Sequence, residues 1–267
     1  MKAKENQKLL VKFKNDLFKV GAKLHGSEQQ QKEESYKRFI DYAFNSMLQA
    51  LGVMTFDGSE IYLNDDLMQS VKKINDSAEL GQAVISYCEL VRASEPFTDV
   101  FSMLHEDLLL TGRRGEGLGQ FYTPSDLADA IGQLMPLLSD GKKIEDFCCG
   151  AGSLPLAVLK RCALENPQAL ETVTVVLNDI DELACKVAFL QVVANVLVKR
   201  IKVGSVLMFN CNTLTQWNDK DTLMVAYKAS VEGTESPVQA GNVEAFDRVI
   251  AMCKDSSKRI KKAVNIY

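Results

Sequence analysis

The 267-residue chain holds only two histidines, one tryptophan and six prolines. It has no Cys-x-x-Cys pair, and His25 and His105 are its only imidazoles, so a zinc-type metal site is not expected. No apolar run approaches the ~18 residues a membrane-spanning helix needs, so no membrane span is expected. The opening residues Met1–Gln7 are polar and charged, without the apolar stretch of a secretory signal. Seven cysteines is an odd number, and Cys148 and Cys149 are adjacent. That suits a reduced, cytoplasmic chain better than a disulfide framework. A strong positive charge is missing too: the net charge of −4 argues against tight DNA binding by this chain alone.

What remains is ordinary soluble composition, 46% hydrophobic and 25% charged, in a chain long enough for one large domain or two modest ones. The charge is uneven. Residues 1–50 carry ten Lys/Arg against six Asp/Glu, a local +4 that leaves −8 for the rest. A solvated basic helix accounts for this without a partner. Leu10, Phe13, Leu17, Val20 and Leu24 form one helical stripe, with Lys8, Lys12, Lys19 and Lys23 on a separate face. A second helix spans Tyr36 to Leu51 with Gly52 placed to stop it, and Phe56-Asp57-Gly58 reads as a turn. Helical patterns recur at Asp66–Ile74, Leu80–Arg92 and Phe97–Leu110, so residues 1–110 are expected to form an all-α domain.

The texture changes at Thr111–Gly119, where four glycines fall within nine residues and mark a connector. Beyond it, strands at Lys143–Phe147, Val173–Leu177, Val203–Phe209 and Phe246–Ala251 alternate with helices at Ser125–Leu138, Ser153–Leu164 and Glu182–Val198. Ser125 is the expected N-cap of the first of these helices. Such alternation predicts an α/β fold with a parallel sheet and right-handed crossovers over residues 111–267.

The strongest local pattern is Ile144-Glu145-Asp146-Phe147-Cys148-Cys149-Gly150-Ala151-Gly152-Ser153, a strand that enters a Gly-x-Gly turn and then a helix. Glycine lets backbone approach a ligand, and the helix N-terminus offers free N–H groups. Alone, such a turn also occurs with no ligand. The next strand ends Leu177-Asn178-Asp179-Ile180-Asp181, with Asp179 27 residues after Gly152. An acid at this strand tip is where nucleotide-binding sheets grip a ribose diol. A helix N-cap is the alternative role, and Asp181 is placed to fill it.

Gly119-Gln120-Phe121-Tyr122-Thr123-Pro124, upstream of the glycine loop, resembles the Gly-Gln-Phe-Tyr-Thr-Pro signature of the modification subunits of type I restriction–modification systems. These are N6-adenine DNA methyltransferases. Asp99 to Leu109 is similar to the helix before that signature, so the resemblance covers about residues 97–251. It implies a Rossmann-like, class I S-adenosylmethionine-dependent methyltransferase fold. It also implies cofactor contacts from Gln120, Phe121, Tyr122, Thr123, Pro124, Asp146, Cys149, Gly150, Gly152, Ser153 and Asp179. Restriction–modification subunits or a second copy are the implied partners.

The resemblance breaks at the chemistry. The family transfers its methyl group through Asn/Asp-Pro-Pro-Tyr/Phe after the fourth strand, whereas here Phe246–Ala251 is followed by Met252-Cys253-Lys254-Asp255. Both prolines, the polar first residue and the aromatic last residue are missing, so no catalytic residue is assigned. After the third strand the family's Gly-Asp-Thr/Ser-Leu is Cys211-Asn212-Thr213-Leu214, with Asn212 in the place of an acid that meets the adenine amine. Only 16 residues follow Ala251, so a C-terminally truncated sheet is expected, with its edge covered by Thr215–Asn242, which is long enough to hold a hairpin, or by a partner. Three readings stay open: a cofactor-binding relative that cannot methylate DNA by itself, an active or partner-dependent adenine methyltransferase, and a non-enzymatic mimic of a modification subunit.

Overall fold

A computed structural model describes residues 2–54, 58–72, 77–109, 123–217, 219 and 221–230; at 2, 3, 53, 54 and 105–109 it describes the backbone alone. The helices are α1 (Lys2–Lys19), α2 (Glu28–Met54), α3 (Asp65–Val71), α4 (Ala78–Ala93), α5 (Val100–Leu109), α6 (Ser125–Leu134), α7 (Ser153–Glu165) and α8 (Glu182–Lys199). The strands are β1 (Glu60–Leu63), β2 (Lys143–Asp146), β3 (Thr174–Asp179), β4 (Ser205–Asn210) and β5 (Leu223–Lys228), ordered β1-β5-β4-β3-β2. No described helix is long and apolar enough to cross a membrane.

The expected parallel arrangement holds for β2, β3 and β4. Beyond β4 the sheet turns mixed, because β5 pairs antiparallel with β4 and β1 antiparallel with β5. The reason is the connection. The described residues between β4 and β5 contain no helix, and the chain folds back, as an antiparallel pair allows and a parallel one does not. Of the segment Thr215–Asn242 expected to hold a local hairpin, β5 pairs instead with β4, which precedes it, and residues 231–242 lie outside the described residues, as does the expected strand Phe246–Ala251. Strand β5 reads Leu-Met-Val-Ala-Tyr-Lys and is buried over its first five residues, which hides the alternation that would announce a half-buried strand.

The helical part also differs in one respect from an all-α region. Glu60–Leu63 pairs with Val225–Lys228, so this part supplies an edge strand to the sheet. Helix α2 runs through Gly52 to Met54. Helix α6 is capped by Pro124 rather than Ser125, and no side chain bonds its first turn.

One hydrophobic core runs from Phe13 to Tyr227. Phe13 (α1), Phe39 (α2), Tyr87 (α4) and Phe101 (α5) pack with ring centroids 5.2–6.3 Å apart. Helix α8 lies between this cluster and the sheet, touching α2 and α4 on one side and β3 and β4 on the other. It is buried at twelve positions, as expected of a helix covered on all sides. Phe44 of α2 meets Phe189 of α8 at 5.6 Å, and Lys186 Nζ donates to Asp41 at 2.7 Å.

This shared core predicts shared unfolding. Phe44→Ala should cost about 3–5 kcal/mol, and the sheet should lose its structure with the helices in one thermal transition. Two separated transitions, with only the helical one shifted, would show that the packing of α2 on α8 does not couple them.

Candidate cofactor-binding site

Strand β2 ends at Asp146, and the chain then turns sharply into α7. Gly150 has φ 51° and Gly152 φ 89°, a left-handed region costly for other residues. At Gly152 a Cβ would also sit 3.0 Å from the Cβ of Ala188 in α8. Glycine is thus required there by conformation and by space. Gly152 N–H donates to Cys149 O at 2.7 Å, closing the turn. Gly152 is the N-cap of α7 and no side chain caps that end, so its first-turn amides keep their partial positive charge.

Asp179, at the tip of β3, accepts from Gly150 N at 2.9 Å through one oxygen and from Asp181 N at 3.0 Å through the other. Asp181 caps α8 by accepting from Leu183 N at 3.0 Å. The capping role therefore belongs to Asp181, and Asp179 instead holds the glycine loop. Asp146 accepts from Cys148 N at 3.2 Å. Burial raises its pKa, with a further push from the charge of Asp179. The thiol of Cys149 is buried and pushed upward by the neighbouring Cys185 thiol and by desolvation, so it stays protonated. Among the described residues no group of three metal-ligating side chains exists.

Beneath the loop lies Asn178, fully buried, whose importance the sequence did not signal. Its Nδ2 lies within hydrogen-bonding distance of Phe147 O, Cys211 O and Thr213 Oγ1 at 2.9, 3.1 and 2.8 Å. Its Oδ1 accepts from Cys211 N at 3.2 Å, and its backbone carbonyl accepts from Cys149 N at 2.9 Å. One side chain thereby registers the exits of β2, β3 and β4.

Asn212 stands on the loop after β4. Its Oδ1 accepts from Leu214 N at 3.0 Å and its N–H donates to Gln216 Oε1 at 3.1 Å, an Asx-type turn. Two apolar residues at these strand tips were not singled out from sequence: Ile180 is 60% exposed and Leu214 94%. Ser153 sits differently from its neighbours. Its hydroxyl donates to Asp99 at 2.6 Å inside the protein. Thr123 and Pro124 lead into α6, which packs on α7 with Gly132 against Ala157. Gln120, Phe121, Tyr122 and the segment Met252–Asp255 lie outside the described residues.

The sequence model of the N-6 DNA methylase family matches residues 96–251 of this chain. The chain belongs to the N-6 DNA methylase family. The matched span begins just before α5, holds α5 to α8 and β2 to β5, and ends at Ala251. The glycine loop, both acids and Asn178 all lie within it. No curated protein matches the chain.

Chemically, the site presents a bare helix N-terminus flanked by two carboxylates. That combination disfavours a phosphate, which would meet the Asp146 and Asp179 charges, and favours a ligand joining a carboxylate to cationic and hydroxyl groups.

The raised pKa of Asp146 sets the sign of a pH effect. The folded state holds this proton more tightly than the unfolded chain, so ionising Asp146 costs stability as pH rises from the ordinary value of 3.8 through the raised one. Asp146→Asn should accordingly raise Tm at about pH 8, and the gain should shrink to nothing as pH falls to about 4. Thermal denaturation of both proteins across that range checks this; a variant less stable than wild type at about pH 8 contradicts it.

Proposed function

We propose that this member of the N-6 DNA methylase family is a relative of type I modification subunits that binds S-adenosylmethionine at the carboxyl ends of β2 and β3, and that it does not methylate DNA by itself. The observation that carries the cofactor reading is the placement of Asp179. Its two oxygens each hold one backbone N–H, yet an ionised carboxylate offers about four lone-pair sites. Two therefore remain for a ribose diol, on a residue relieved of helix capping by Asp181. The Oδ2 of Asp146 takes no hydrogen bond among the described residues and suits the amino group of the methionine part. The uncapped start of α7 suits its carboxylate. Ile180 and Leu214, exposed at adjacent strand tips, suit the faces of an adenine ring, with Asn212 as a partner for its amine. When bound, the cofactor supplies an electrophilic methyl group.

The case against independent catalysis rests on sequence. Methylation of an adenine amine needs an acceptor for its protons beside the methyl donor, and a surface that stacks the extruded base. Where the family has Asn/Asp-Pro-Pro-Tyr/Phe, Met252 has no side-chain carbonyl, Lys254 brings a cation towards a sulfonium, and no aromatic is present. The type I reading rests on Gly119–Pro124. The net charge of −4 agrees with DNA contact being delegated to partner subunits.

Isothermal titration with S-adenosylmethionine should show binding, and Asp179→Ala should weaken it by about 1–3 kcal/mol. Unchanged affinity in that variant removes Asp179 from the site. With tritiated S-adenosylmethionine and mixed-sequence duplex DNA, the purified chain should leave no label in adenine. Label from the chain alone overturns the catalytic part of the proposal, whereas label only in the presence of cell extract assigns transfer to an assembly.

A further inference from the structure

We propose that Asp99 and Gln191 are positioning residues for the cofactor loop, gripping it from behind on both sides of Gly152; the inference builds on the cofactor reading above. Helix α8 carries Ala188, Gln191, Asn195 and Lys199 along one face, at the three- and four-residue spacings that align side chains on a helix. Ala188 is small enough to admit Gly152. Gln191 is 1% exposed and satisfies its whole amide. Its Nε2 donates to Asp99 Oδ1 at 2.9 Å and to Ala151 O at 3.0 Å, while its Oε1 accepts from Val100 N at 2.8 Å and Phe101 N at 3.4 Å. Asp99 in turn accepts from Ser102 N at 3.0 Å, at the start of α5, and from Ser153 Oγ at 2.6 Å.

The other end of the stripe anchors this arrangement. Asn195 Oδ1 accepts from Phe97 N at 2.9 Å, and Phe97 is a bulky, buried residue held at φ 53°. Such a conformation persists only where its surroundings impose it. Lys199 Nζ donates to Ser94 O at 2.6 Å and Arg92 O at 3.2 Å. The turn from Arg92 to Ser102 is thus hung on α8, and through Asp99 and Gln191 it holds the carbonyl of Ala151 and the hydroxyl of Ser153. These two residues flank Gly152, so their peptide orientation fixes where the amides at the start of α7 point. A network that merely satisfied buried polar groups would not need to converge on that turn.

The test uses the full chain with Gln191→Met, Asp99→Ala, Asp99→Asn and, as a control remote from the loop, the core variant Leu48→Ala. Gln191→Met and Asp99→Ala should lose at least about tenfold in S-adenosylmethionine affinity and speed amide exchange at residues 149–153, while β3 and the rest of α8 stay protected. Asp99→Asn keeps an acceptor for Gln191 and Ser102, and should recover affinity to within about threefold of wild type. Leu48→Ala should lower Tm without changing affinity. Wild-type loop exchange in both disruptive variants, or an equal affinity loss in Leu48→Ala, overturns the inference. Should the wild type fail to bind S-adenosylmethionine, the cofactor reading falls, and loop-specific exchange alone then decides for or against the positioning role. If Gln191→Met does not fold, the Asp99 pair gives the same decision.

Discussion

Everything at the carboxyl end of the sheet depends on one buried amide. Asn178 has no exposed surface, and its side chain reaches the chain as it leaves β2, at Phe147, and as it leaves β4, at Cys211 and Thr213. Thr213 Oγ1 adds its own bond to Phe147 O at 3.0 Å, so the two exits are tied both through Asn178 and to each other. Each neutral bond contributes on the order of 1 kcal/mol net, but stranding buried carbonyls costs about 1–3 kcal/mol apiece, so the network persists as a unit. With these exits fixed, Asp179 is delivered to Gly150 and the glycine loop has a defined floor.

Helix α8 supplies the second constraint, and it links the helical part of the chain to that floor. It is buried at most of its positions because the sheet lies on one side and α2 and α4 on the other. Its few buried polar residues are therefore informative. Gln191 and Asn195 cannot reach water, so each must find partners, and both find them in the turn that precedes α5. The polar positions of an otherwise apolar helix thereby specify where the chain from residue 92 to 102 must lie. The strained backbone at Phe97 is tolerated because Asn195 holds its N–H from the side of the helix.

Much of this was legible in the sequence, and the exceptions have physical causes. Strands β2, β3 and β4 and the helices that follow β2 and β3 were readable because local periodicity, a Gly-x-Gly turn and a terminal acid agreed with one another. Asp181 as the cap of α8 was readable from its position alone. Strands β1 and β5 were not, since each depends on a partner far along the chain: Glu60 pairs with Lys228. A four-residue strand among helices has no local signature, and β5 is apolar on both faces. Asn178 was unreadable for a similar reason, because an amide beside an acid at a strand end looks solvent-facing until the neighbouring exits close over it. Ser153 was legible as a helix start but not in the direction of its hydroxyl, which is set by Asp99 more than fifty residues earlier.

The candidate site is built where three strand exits and one helix meet. Among the described residues, the hydrogen bonds that shape the glycine loop, Asp146 and Asp179 join the exits of β2, β3 and β4 to one another and to α8. A floor built from backbone amides, Asp179 and a buried asparagine is bound up with folding, so its loss would cost stability.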